Sequence, residues 1–81
     1  MKAQEPPRKQ PGHRLRVFID EKSGEVHVEG NTAGLEYLAA VCVSVIGQPP
    51  GPSHWHLSEV FNTLEEASPD LMISYRAELE S

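Results

Sequence analysis

The sequence predicts a two-layer α+β domain of β-β-α-β-β order, with one helix packed on a mainly antiparallel four-stranded sheet. Three observations lead there. Two alternating apolar runs, residues 14–20 and 25–29, are joined by four turn residues. A helical apolar stripe follows over residues 32–46. Two further alternating runs occupy residues 54–58 and 71–79. A chain of 81 residues buries roughly 60–65% of its surface on folding, enough for one modest core.

In the first run (RLRVFID), Leu15, Val17 and Ile19 share one face and Arg16, Phe18 and Asp20 the other. Glu21, Lys22, Ser23 and Gly24 form a turn in which the glycine supplies a positive φ. In the second run (EVHVE), Val26 and Val28 point inward while Glu25, His27 and Glu29 point outward. Together the two runs read as a β-hairpin.

Asn31 or Thr32 serves as N-cap of the helix, and Glu36 complements its first-turn dipole. Leu35, Leu38, Ala39, Cys42, Val45 and Ile46 share one face. Gly47 reads as the residue after the C-cap, and Pro49-Pro50 cannot continue a helix. Only Glu36 is charged. The remaining face, with Tyr37, Ala40, Val43 and Ser44, calls for a cover: a loop, the N-terminal arm or another chain.

Residues 48–53 (QPPGPS) form a stiff loop. Beyond it, Trp55 and Leu57 alternate with His54, His56 and Ser58. Residues 59–70 are acidic and turn at Ser68, Pro69 and Asp70. The last run (LMISYRAEL) sets Leu71, Ile73, Tyr75 and Ala77 opposite Met72, Ser74, Arg76 and Glu78. The expected core packs Leu35, Leu38, Cys42, Val45 and Ile46 on Val17, Ile19, Val26, Val28, Trp55, Leu57, Ile73 and Tyr75.

Charge is unevenly distributed. Residues 1–16 hold five cationic side chains against Glu5, a net +4, whereas residues 17–81 hold Lys22 and Arg76 against eleven carboxylates, a net −9. Residues 1–13, with Pro6, Pro7, Pro11 and Gly12, read as a disordered basic arm, and residues 14–81 as the single domain. The acidic body should repel nucleic acid and attract a basic protein. No stretch approaches the ~20 apolar residues of a membrane span. One cysteine and a polar N-terminal segment make the cytoplasm the expected compartment.

Chemistry would have to sit on the outer sheet face, which collects Arg16, Phe18, Glu25, His27, Glu29, His54, His56, Ser74 and Arg76. His54 and His56 project to one side, and with His27 and a carboxylate they make a zinc site the rival reading. The pattern is short, and no metal or other cofactor is expected. Cys42 falls on the helical stripe and reads as a buried, inert thiol. Ser58 and Ser74 lack a nucleophile-elbow setting, Glu65 and Glu66 point apart, and no phosphate-binding glycine loop is present. The chain is not expected to be an enzyme.

Three segments carry a family resemblance. They are Gly30-Asn31-x-x-Gly34-Leu35-x-x-Leu38-Ala39, Pro49-Pro50-Gly51-x-x-His54-x-His56-Leu57 and Leu64-Glu65-Glu66-x-Ser68-Pro69-x-Leu71-x-Ile73. Across residues 28–75 the chain resembles the immunity protein 32 family of bacterial polymorphic-toxin systems. The resemblance implies neutralisation of a cognate toxin by direct binding, without catalysis. The expected contacts are Glu25, His27, Glu29, His54 and His56, with Glu59, Glu65 and Glu66 of the acidic stretch, facing a basic toxin domain. The alternatives are a His-x-His metal-binding domain and a structural homodimer built on the helix over residues 32–46.

Overall fold

A computed structural model describes residues 7–46 and 54–80. The elements follow in the order β1 (Leu15–Ile19), β2 (Val26–Gly30), α1 (Thr32–Ser44), β3 (His54–Leu57) and β4 (Leu71–Ser74), with a 3-10 turn at Ala77–Glu80. The architecture is α+β, with one helix and two antiparallel strand pairs. Residues 47–53, and with them Gly47 and the proline loop, lie outside the described residues, as do residues 1–6.

The hairpin forms where its alternation and turn residues place it. β1 pairs antiparallel with β2, Val17 opposite Val28 and Phe18 opposite His27. In the turn, the Asp20 carboxylate accepts from the backbone N–H of Lys22 (2.9 Å) and Ser23 (3.3 Å), and Gly24 adopts φ 78°. An aspartate closing its own turn, with glycine supplying the left-handed residue, is the local chemistry of such connections.

The expected four-stranded sheet is replaced by two separate two-stranded sheets, β1-β2 and β3-β4. The reason is visible along the free edge of β1. The Glu65 N–H donates to the Leu15 carbonyl (2.8 Å), and the Val17 N–H donates to the Ser68 hydroxyl (3.1 Å). The segment after β3 therefore occupies the positions that a third strand would need. The last strand is also shorter than expected. It ends at Ser74, and residues 77–80 turn instead.

The helix is where its caps predict, with the Asn31 side chain accepting from the Gly34 N–H (2.9 Å). Its rotation is not. Gly34, Tyr37, Val41 and Val45 are buried, whereas Leu35, Cys42 and Ile46 of the expected core face are exposed. At 3.6 residues per turn the helix is turned by about 90° from the expected setting. The cause is a close crossing. The Arg14 peptide passes over Gly34, where a Cβ would overlap the Arg14 carbonyl, and one at Gly30 would stand 2.8 Å from the same oxygen. Asn31 completes the crossing. Its side chain accepts from the Arg14 N–H (3.1 Å) and donates to the Gly12 carbonyl (2.6 Å), while its backbone N–H donates to the Arg14 carbonyl (3.1 Å). With Gly34 facing the crossing chain, Tyr37, Val41 and Val45 must follow inward.

The core consists of Leu15, Val17, Tyr37, Val41, Leu57 and Leu64, flanked by Leu38, Trp55, Leu71 and Ile73. The Trp55 indole N–H donates to the Tyr37 hydroxyl (3.3 Å), so both large aromatic residues place a polar atom where it finds a partner. Ile19, Val26 and Val28, expected inside, are exposed. The helix is anchored at the Arg14–Gly30 end of the hairpin, and the turn end extends past it.

The basic arm joins the body well before residue 14. Residues 10–13 make a turn with Pro11 second and Gly12 third at φ 81°, closed by a 3.1 Å bond from the His13 N–H to the Gln10 carbonyl. Lys9 donates to the Asn62 carbonyl (2.8 Å). His13 Nε2 lies 2.9 Å from the Thr63 carbonyl, and the ring packs edge-on against Tyr37. A carbonyl only accepts, so Nε2 carries the proton. Among the described residues, no helix is long and apolar enough to cross a membrane.

Urea unfolding checks this arrangement. Gly→Ala inside a helix ordinarily stabilises by up to about 1 kcal/mol. Gly34→Ala should instead destabilise by about 1–3 kcal/mol, because the crossing peptide leaves no room. Leu57→Ala, at a fully buried site, should cost about 2–5 kcal/mol. An unchanged or raised midpoint for Gly34→Ala would show that the crossing does not set the helix rotation.

Candidate functional site

The loop between β3 and β4 is built around two buried hydroxyl residues, Ser58 and Thr63. The Ser58 N–H donates to the Thr63 hydroxyl (2.9 Å), which in turn donates to the Ser58 carbonyl (3.1 Å). The same carbonyl accepts from the Thr63 and Leu64 N–H groups, both at 3.1 Å. The Phe61 N–H donates to the Ser58 hydroxyl (3.2 Å). Asn62 takes φ 60°, a left-handed conformation that asparagine tolerates better than most residues. Leu64 then plugs into the core.

The consequence is a fixed tip with two apolar side chains held outward. Val60 is 83% and Phe61 65% exposed. Around them in sequence stand Glu59, Glu66 and Asp70, all exposed. The Glu59 carboxylate also accepts from the Ala67 N–H (3.4 Å), where Ala67 holds φ 71°. The acidic stretch is legible in the sequence. The exposed pair is the part that sequence reasoning missed, and its only signal was two adjacent apolar residues inside that stretch.

The expected contact residues fall into three groups. Glu25, His27 and Glu29 lie with Arg16 and Phe18 on the outer face of the β1-β2 sheet. There Arg16 pairs with Glu29 (2.7 Å), His27 lies 3.1 Å from Glu25, and the His27 ring stacks on Phe18 with centroids 4.6 Å apart. His54 and His56 lie on β3 of the other sheet, their rings edge-to-face at 5.2 Å. The single outer face expected of a four-stranded sheet is therefore divided, and His27 does not share a sheet with the other two. Among the described residues, no group of three His, Cys, Asp or Glu side chains is placed to hold a metal ion. Cys42, expected buried, is exposed because of the helix rotation.

The third group is Glu59, Glu65 and Glu66, of which Glu65 alone is partly buried. It forms an ion pair with Arg14 at 2.5 Å. The hydrogen bond from the guanidinium holds the Glu65 carboxyl below its ordinary range, partial burial opposes this, and the charges of Arg14 and Arg16 add to the lowering. The same bond raises Arg14. The pair borders a cleft of about 290 Å³ lined by Arg14, Leu15, Arg16, Glu29, Gly30, Asn31 and Glu65. Each arginine there already faces a carboxylate, and Asn31 is spent on the helix cap and the crossing. The cleft offers no uncompensated charge to an ionic ligand.

No family model matches the chain, and neither does any curated protein or solved structure. The geometry therefore carries the functional argument.

A lowered carboxyl pKa in the folded state stabilises above the unfolded pKa, and that stability is lost as pH falls through the folded value. Wild type should thus exceed Glu65→Gln in urea midpoint at pH 7, and the two should converge as pH falls through the lowered value of the Glu65 carboxyl. The difference should be small, since the Arg14 side chain is 69% exposed and solvent screens the pair. Equal midpoints at both pH values would show that the pair adds nothing.

Proposed function

We propose that this chain is a non-enzymatic binding protein that acts as an immunity protein, masking the active cleft of a basic toxin domain in the cytoplasm. The observation that carries this reading is the β3-β4 loop, where Val60 and Phe61 stand exposed on a hydrogen-bonded frame, in a stretch of chain that also exposes Glu59, Glu66 and Asp70.

An aromatic side chain that enters a pocket on its partner supplies much of the energy at protein interfaces. Holding that side chain in place beforehand reduces the ordering cost of association. Surrounding carboxylates steer a cationic partner toward the anchor and speed the encounter. The net −9 of residues 17–81 extends the same field over the body. It also disfavours nucleic acid, whose binding depends on phosphate neutralisation by cationic side chains.

Within this reading, Glu59 and Glu66 flank the anchor at the contact, while Glu65 supports the loop from behind through Arg14. Glu25, His27 and Glu29 form a second polar surface on the hairpin, and His54 and His56 a third on β3. The resemblance to the immunity protein 32 family favours the same conclusion from the motif side.

The test is capture of the protein encoded immediately upstream, followed by binding kinetics at low and physiological salt. Phe61→Ala should raise the dissociation rate at least tenfold, and Glu66→Lys should mainly slow association, more so at low salt. Neither change should alter the urea midpoint appreciably. The absence of a complex, or a complex indifferent to both substitutions, overturns the proposal.

A further inference from the structure

The quarter-turn of α1 leaves an apolar surface that the core does not use. Leu35, Ala39 and Cys42 follow one another at spacings of 4 and 3 along the exposed side, with Val43 beside them and the exposed Ile46 just past the end of the helix. This is the seam spacing by which helices pack on helices. Glu36 is the only charged residue between Thr32 and Ser44. At its N-terminal end the stripe meets the hairpin, since Leu35 lies 3.4 Å from where a Cβ at Gly30 would stand. Val28 and Val26 follow Gly30 on that same face, with Ile19 paired to Val26.

We propose that this surface is the interface of a two-fold symmetric homodimer. Its occupant is a second copy of the chain for two reasons. The first is charge. A cationic partner is drawn to the carboxylates of the loop and the hairpin's outer face and gains nothing from an uncharged helix. A second copy carries the same net −5, so two acidic bodies repel each other least where both surfaces are uncharged. The second is area. Six side chains on the surface are between 38% and 61% exposed, from Val28 to Val26. They amount to on the order of 500 Å² per copy, at the upper end of what monomers leave open. With the exposed Ala39 and Cys42 added, the surface approaches the lower end of the ~600–1,000 Å² that each partner contributes to a stable interface.

The stripe is also self-complementary. A two-fold axis near Ala39 and Cys42 sets Leu35 of each copy toward Ile46 of the other, with small side chains at the centre where two helices approach most closely. The proposal does not depend on the toxin-binding reading. The Val60-Phe61 loop belongs to a different element, so a dimer would carry two such loops.

Sedimentation equilibrium of the full chain over about 1–200 μM, combined with maleimide labelling of Cys42, is the test. The expected result is a species of twice the 9.0 kDa chain mass with Cys42 labelling at least tenfold slower than for a free thiol. Ala39→Glu should return the monomer and restore fast labelling, with the helical circular-dichroism signal unchanged. Should that variant fail to fold, Val43→Lys gives the same reading from the stripe's edge. A wild-type monomer throughout the range overturns the proposal. Slow labelling of that monomer would assign the surface to a segment of the same chain, and fast labelling would leave it open. A dimer that survives both substitutions overturns it as well.

Discussion

The structure depends on one peptide crossing. Arg14 passes over the start of α1 so closely that neither Gly30 nor Gly34 has room for a Cβ, and both polar groups of the crossing residue bond to Asn31. Burying a peptide at such a contact is affordable only when its N–H and C=O keep partners. Asn31 supplies them while capping the helix. Everything downstream inherits the geometry: the crossing fixes which side of α1 faces in, hence which side chains meet Leu15 and Val17, hence where Trp55 finds the Tyr37 hydroxyl. Gly30, Asn31 and Gly34 are accounted for by this packing alone.

Features decided by neighbours in sequence were legible, and features decided by distant contacts were not. The hairpin was readable because alternation and the Asp20–Gly24 turn act within ten residues or so. The helix was readable from its Asn31 cap and its apolar content. Its rotation was not, because a helix with one charge has no polar face to announce which side is wet. Leu35, Cys42 and Ile46 looked as suitable for the core as Gly34, Tyr37 and Val41, and a contact with Arg14, twenty residues earlier, settled the choice. The four-stranded sheet failed for the same kind of reason. Glu65 and Ser68 occupy the edge of β1, and nothing in their own sequence marks them as edge-covering residues. At the candidate site, the placement of Arg16, His27 and Glu29 on the outer face of the hairpin followed from alternation. The frame that holds Phe61 out rests on Ser58 and Thr63, two small polar residues in a stretch that otherwise reads as a simple acidic loop.

These outcomes divide the surface by chemistry. The β3-β4 loop combines carboxylates with exposed apolar side chains, the hairpin's outer face carries the Arg16–Glu29 ion pair, the His27–Glu25 contact and one stacked pair of rings, and the exposed flank of α1 is almost uncharged. Electrostatic attraction acts over about a Debye length, whereas apolar contact acts only on touching. The loop is therefore suited to capturing a partner from a distance, and the helix flank to holding one that arrives in register. A small protein gains by keeping the two apart, since carboxylates at an apolar seam would have to be desolvated.

The seal on β1 also has a bearing on how the chain is made. Its two bonds join residues 15 and 17 to residues 65 and 68, and Lys9, His13 and Arg14 reach equally far forward to residues 62, 63 and 65. During synthesis the hairpin and helix are complete by residue 44, but the segment that covers them is not. At ordinary elongation rates the 24 residues from 44 to 68 take roughly 1–5 s. Throughout that interval β1 has an open edge, and Leu15, Val17 and Val41 lack Leu57 and Leu64 above them. The nascent chain thus carries an unpaired strand beside an apolar helix until its last third emerges, and its exposure to wrong pairings is set by translation speed rather than by the stability of the finished fold.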